Sequence, residues 1–344
     1  MGRVTLNDVS KRAGVSRATA SLVVRGSSRI SPATTARVQE AIQELGYVYD
    51  RAAAQMRGAK TMTIGIIVPE IRNPYLADLL MTIEQSLRAR GYTSLISHSG
   101  EDIQREAEIL TTLAERRVDG ILVHPAHGYG DAPLDRYTSR FDIPIVTMMR
   151  HLEDRFSYVG PDNRLGGQLL GEHLRSLGVQ SVALVGGPAR SSARTDRVEG
   201  MRAGLGEDID FDSGEATTTQ TNYSDAGQRA MAQVLDQGNL PDAVVGYSDI
   251  VAMGMYVELH RRGLQPGRDV AVAGFDDIVM SSWLTPPLTS VAMWSEQVGT
   301  VASELILSAV DDGAPEPPVT HLVEPALRLR NSTLGWRPRL PASR

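Results

Sequence analysis

Along residues 5–46, apolar positions recur at helical spacing in three short blocks. Leu6 and Val9 open an apolar face that reaches Ala13, and Gly14 follows, where a sharp turn uses a positive φ. Ser16 is placed to cap a second helix over residues 17–24. Ser31-Pro32 predicts an N-cap and a first-turn proline for a third helix. Its Val38, Ala41, Ile42 and Leu45 fall at i, i+3, i+4 and i+7, and Gly46 ends it. Residues 50–60 are polar to small and rich in alanine, and read as a linker able to form two helical turns but too short to hold them alone.

From residue 62 the pattern changes. Apolar runs such as Thr63–Val68, Gly120–Val123, Ser181–Gly186, Asp242–Gly246 and Asp269–Gly274 alternate with helical stretches such as Tyr75–Arg90, Arg164–Leu177 and Ile250–Arg262. This βαβα alternation predicts an α/β fold of parallel sheets covered by helices. About nine strands over roughly 230 residues are many for one open sheet, so the expectation is a two-lobed body with a ligand cleft between its lobes.

Composition narrows the chemistry. The 344 residues include no cysteine, which excludes disulfides, thiolate nucleophiles and cysteine-bound metals. The two lysines, Lys11 and Lys60, leave none in residues 61–344 for a phosphate-loop or Schiff-base role. His124 and His127 are the only closely spaced histidines and, with no convergent carboxylate motif, are read as loop residues rather than metal ligands. No cofactor, metal or catalytic constellation is expected. Charge is uneven: residues 1–60 hold ten basic and four acidic residues, and the remainder 25 basic and 37 acidic. A basic head on an acidic body points to a polyanion-binding module joined to a different function. No apolar run of membrane-spanning length and no secretory signal is present, so a soluble cytoplasmic protein is expected.

The turn Ala13-Gly14-Val15-Ser16 between two short helices, in a basic segment with a third helix behind it, is a helix-turn-helix signal. With Thr19 to Ser21, Ser31 to Thr35 and Leu45-Gly46-Tyr47, this segment closely resembles the headpiece of the lactose/galactose repressor (LacI/GalR) family. The resemblance continues in order through Asp119-Gly120-Ile121, Asp162-Asn163, Gly186-Gly187-Pro188, Arg197 to Gly200, Gly274-Phe275-Asp276-Asp277, Pro287-Leu288-Thr289 and Arg330-Asn331-Ser332-Thr333.

The resemblance implies a homodimeric, ligand-responsive transcriptional regulator, a repressor of carbohydrate-related genes, with a periplasmic-binding-protein-like core, binding near-palindromic double-stranded operator DNA. The implied organisation is a headpiece at 1–49, a hinge-helix linker at 50–61, a core at 62–335 and a tail at 336–344. In the core, one lobe takes 62–161 with 292–322 and the other 162–291 with 323–335. Arg17, Ala18 and Leu22 match base-reading positions. Arg17 is suited to a bidentate bond to guanine; Leu22 offers only apolar contact, or packs in the headpiece. Thr5, Ser16, Thr19, Ser21, Arg25 and Ser31 resemble phosphate-positioning residues, with Arg25 and Arg29 also readable as solvated. Met56 stands where the family places an apolar wedge for the central base step.

The implied effector residues are Asn73, Tyr75, Arg150, Arg197, Tyr223, Ser248 and Asp276. Arginine with aspartate binds vicinal hydroxyls, and tyrosine gives a sugar ring a face to stack on. Asn73-Pro74 also reads as a plain turn, and Asp276-Asp277 as a helix cap. Met148 or Met149, Met293 and Trp294 would make the cleft more apolar than a bare monosaccharide needs. The expected effector is therefore a carbohydrate or a derivative, with a larger glycoside or a nonsugar metabolite as alternatives. A solute-binding protein explains only the body. The tail holds two prolines and no heptads, which favours a dimer over a tetramer.

Overall fold

The computed structural model describes residues 4–24, 29–48, 60–126, 134, 143–152, 156–189, 191–214, 224–238 and 240–338. The chain divides into two compact units, Met1–Thr61 and Met62–Arg344.

The first unit holds α1 (Leu6–Ala13), α2 (Arg17–Val24) and α3 (Pro32–Leu45). Thr5 closes a capping box on α1: its hydroxyl accepts from the Asp8 amide, and its own amide donates to Asp8 Oδ2 at 2.9 Å. Gly14 and Gly46 end α1 and α3 at φ 64° and 62°, in the left-handed region that glycine reaches without a Cβ penalty. Val9, Ala13, Ala20, Val23, Val38 and Ala41 form the core between the helices. Leu22 is half-buried and stands outside that cluster.

The second unit is built on two six-stranded sheets. In chain order the first half supplies β1 (Thr63–Val68), α4 (Pro74–Ala89), β2 (Thr93–His98), α5 (Ile103–Glu115), β3 (Gly120–Val123), β4 (Ile145–Met148) and β5 (Ser157–Pro161). There follow α6 (Asn163–Ser176), β6 (Ser181–Val185), α7 (Ser192–Leu205), β7 (Asp210–Asp212), α8 (Ser224–Asp236), β8 (Ala243–Gly246), α9 (Asp249–Arg261), β9 (Ala271–Asp276) and β10 (Thr289–Ala292). The chain ends with α10 (Ser295–Asp312), β11 (Thr320–Val323), β12 (Ala326–Arg328) and a short α11 (Asn331–Leu334). The sheet orders are β11-β5-β4-β3-β1-β2 and β12-β10-β9-β8-β6-β7. Among the described residues every strand pairing is parallel except β10 with β12. The chain passes between sheets three times, at 161–163, 292–295 and 323–326.

Helices cover both faces of such sheets, so the central strands read as unbroken apolar runs. Ile64, Ile66, Ile67 and Leu122 are fully buried, each contributing about 1.5–3 kcal/mol of apolar burial. The edge strands β7, β11 and β12 were not legible as strands, because three or four mixed-polarity residues at an edge carry no such run. Helix α10 was also not foreseen, although its Val298, Ala302 and Ile306 recur at four-residue spacing and are buried. Trp336, assigned by sequence to the tail, is 1% exposed and packs in the main core, so the folded body runs past residue 335.

One packing detail positions the site. Helices α6 and α7 meet through Gly167, Gly171, Gly200 and Gly204. A Cβ on Gly200 would lie 2.0 Å from the Arg164 carbonyl oxygen, and one on Gly167 2.4 Å from that of Arg197. Glycine thus lets two backbones touch, and that closeness brings Arg197 on α7 to Asn163 at the start of α6.

Candidate functional site

A cavity of about 150 Å³ opens at the carboxyl ends of the strands of both sheets, the place where α/β sheets bind ligands. Asn73, Tyr75, Arg150, Arg197, Ser248 and Asp276 all line it, so the structure gathers six of the seven effector positions read from the sequence. Tyr223, the seventh, lies outside the described residues, as do Arg25 and Met56.

Arg197 is 4% exposed. Its Nε donates to Asn163 Oδ1 at 2.8 Å, and Nη1 donates to the Tyr247 carbonyl. The guanidinium carbon lies 4.7 Å from the Tyr247 ring centroid and 4.5 Å from that of Phe275, within cation–π range of both. Nη2 stands 4.0 Å from Asp276 Oδ1. Asp276 ends β9 at φ 109°, a strained position for a side-chain-bearing residue. Burial pushes its carboxyl up to about 7, against the opposing pull of Arg197. Behind it, Asp249 is fully buried and accepts from the Ser281 and Ser290 hydroxyls and the Ile278 amide. Burial first, and the Asp276 charge second, push Asp249 well above the usual carboxylate range. A Cβ on Gly274 would lie 2.3 Å from Asp249 Oδ1, so glycine there leaves room for the carboxylate.

Arg150 sits on the other wall. Nη1 and Nη2 each donate to Glu101 at 3.2 Å, a bidentate pair, and Nη1 also donates to the Pro125 carbonyl. Tyr75 donates its hydroxyl to the Met293 carbonyl at 3.0 Å, and burial holds its pKa well above the ordinary value, keeping it neutral. Asn73 and Ser248 have cap roles too: each accepts from a backbone amide at the start of α4 and α9 respectively.

Of the sulfur and indole side chains expected in the cleft, Met149 lines it, while Met148, Met293 and Trp294 do not. Met293 is fully buried, and Trp294 begins α10 beneath the Arg328 guanidinium, 5.0 Å from it. Sequence reading missed Glu70, Glu101, His124 and Tyr247 as lining residues. Tyr247 beside Ser248 was findable by adjacency. Glu101 was not, because its partner Arg150 is 49 residues away.

In the three-helix unit, Ser16 accepts from the Thr19 amide at 3.0 Å and Ser31 from the Thr34 amide at 3.3 Å. With Thr5, three of the phosphate-positioning candidates are thus helix N-caps, where amides and dipole favour an anion. Arg17 and Ala18 are exposed in the first turn of α2, with Thr19 and Ser21 half-buried.

A cavity at the strand ends of a double α/β body, in a chain that also carries a helix-turn-helix unit, defines a ligand-binding regulatory protein. Residues 5–50 match the family model "Bacterial regulatory proteins, lacI family", and residues 61–324 match "Periplasmic binding proteins and sugar binding domain of LacI family". The chain belongs to the LacI family of bacterial regulatory proteins. It is 32% identical to the ribose operon repressor of Escherichia coli over 310 residues, 89% of this chain and 93% of that one. It is 31% identical to the transcriptional regulator CelR in its cellobiose complex, with a TM-score of 0.70 over 96% of this chain and 100% of that one. The lac repressor dimer bound to operator shares the fold at a TM-score of 0.83 over 96% of this chain and 99% of that one, with 24% identity. The named relatives are transcriptional regulators, not enzymes. Among the described residues, no helix is long and apolar enough to cross a membrane.

Proposed function

We propose that this protein is a cytoplasmic repressor that binds a near-palindromic operator as a homodimer and releases or grips it in response to a sugar. The observation that supports the effector reading most directly is the pairing of guanidinium and carboxylate on both cavity walls. Such pairs accept from and donate to vicinal hydroxyls, while the Tyr75 and Tyr247 side chains supply ring surface. The ribose repressor and the cellobiose complex of CelR support a carbohydrate over a nonsugar metabolite.

In this reading the segment 1–49 is the DNA-binding headpiece and 50–61 the hinge. Arg17 reads guanine, Ala18 and Leu22 offer apolar contact to thymine methyls, and the caps Thr5, Ser16 and Ser31 position phosphates with Thr19, Ser21 and Arg25. Met56 wedges the central step. Ligand in the cavity alters the separation of the two hinges in the dimer, and so biases the DNA-binding state.

The test is selection of bound duplexes from sheared genomic DNA by the purified protein, followed by release with free pentoses and hexoses. An enriched near-palindrome whose binding one of these sugars alters, and whose affinity falls steeply with salt, supports the proposal. No enriched sequence, with or without sugar, contradicts it.

A further inference from the structure

The wall opposite Arg197 carries a feature that a generic sugar site does not require. Arg150 is 7% exposed, yet both its terminal nitrogens are taken by one carboxylate, Glu101, at 3.2 Å each. Both partners are presented from left-handed backbone: Glu101 itself at φ 60°, directly after Gly100 at 68°, and Arg150 directly after Met149 at 65°. Such conformations persist at non-glycine residues where surrounding structure imposes them, and they cluster at ligand clamps. The Glu101 side chain remains 27% exposed and lines the cavity, as does Glu70. Across the cavity, Arg197 is already answered by Asn163, the Tyr247 carbonyl and Asp276.

We propose that Glu101 sets the charge class of the effector: by engaging Arg150 with both oxygens, it excludes phosphorylated and carboxylate-bearing sugars and admits neutral ones. The inference rests on the sugar-effector reading above and sharpens it. An entering phosphate must break the Glu101–Arg150 fork or lie against the Glu101 and Glu70 carboxylates that line the cavity. A neutral hydroxyl brings no charge against these carboxylates and leaves the fork intact.

The test uses the full chain as wild type, E101Q and E101Q/R150Q. Thermal unfolding is followed in inorganic phosphate against chloride of equal ionic strength, then with free sugars and their phosphate esters. The glutamine side chain keeps the shape of glutamate and still accepts one bond from Arg150, so the fold is retained. The wild type is expected to show no phosphate-specific rise in Tm beyond that of E101Q/R150Q, which carries the same anion-favouring N-caps in the three-helix unit. E101Q gains a saturable one, with phosphate bound about tenfold or more tighter, and the double variant loses it. E101Q also shifts preference from free sugar towards ester. E101D, whose shorter carboxylate still carries charge, gives an intermediate gain. A phosphate stabilisation of the wild type that E101Q/R150Q removes, or E101Q and E101D both indistinguishable from wild type, overturns the proposal. A wild type that binds neither free sugars nor esters contradicts the sugar reading, while the phosphate arm still judges Glu101 by itself.

Discussion

The two walls of the cavity each present a buried arginine, and the two are held by opposite means. Arg150 faces a full carboxylate in a two-pronged ion pair with Glu101. Arg197 is held by neutral acceptors and two aromatic faces, with its nearest carboxylate only at 4.0 Å. A guanidinium fixed by neutral groups keeps its orientation, and its charge is answered only at a distance, by Asp276 at 4.0 Å. One neutralised by a carboxylate contributes direction more than field. On the proposed reading the difference divides the labour: the Arg197 wall binds, and the Arg150 wall selects.

The strongest way to break this comparison is Arg197→Met. It removes hydrogen bonds to Asn163 and Tyr247 and both ring contacts. The expected outcome is loss of ligand response and a fall of about 3–5 kcal/mol in unfolding free energy, measured by denaturant titration and by operator release. Full retention of induction would end the assignment of this wall as the binding one.

A second effect arises from Asp276, whose carboxyl burial raises from 3.8 to about 7. The native state then holds a proton that the unfolded chain has released. Stability from this group is complete below about pH 4 and is lost as pH rises to about 7, at a slope of at most ~1.4 kcal/mol per pH unit. Wild type measured against Asp276→Asn across that range is expected to lose ground steadily and to level off above it. A flat difference would show that the carboxyl is not perturbed.

A smaller effect tests how the Arg197 wall is positioned. Gly200→Ala forces α6 and α7 apart, because its Cβ would meet the Arg164 carbonyl at 2.0 Å. The expected cost is about 1–3 kcal/mol, with ligand affinity reduced although no lining residue has changed. The smallest is Arg150→Met, at about 1 kcal/mol, since the Glu101 it leaves behind is 27% exposed and accessible to water. Arg150→Met is expected to alter which sugars bind while sparing the fold, and calorimetry with a sugar panel reads that directly.

Much of this was written in short-range signals. The caps Thr5, Ser16 and Ser31, the left-handed Gly14 and Gly46, and the apolar strand runs are local rules, each complete within a few residues. The sequence alone therefore determined a three-helix unit, a parallel α/β body and, through ordered motifs, the family. The cavity's chemistry was decided elsewhere. Arg150 reads in sequence as a cation awaiting a ligand, and only the fold shows Glu101 filling that place from 49 residues away. Asp276 reads as an ordinary carboxylate, and only burial, against the pull of Arg197, moves its proton affinity. Helix α10 and the short edge strands gain their place from partners far along the chain. Backbone conformation is a nearest-neighbour property, whereas charge compensation and desolvation depend on what the tertiary structure brings together.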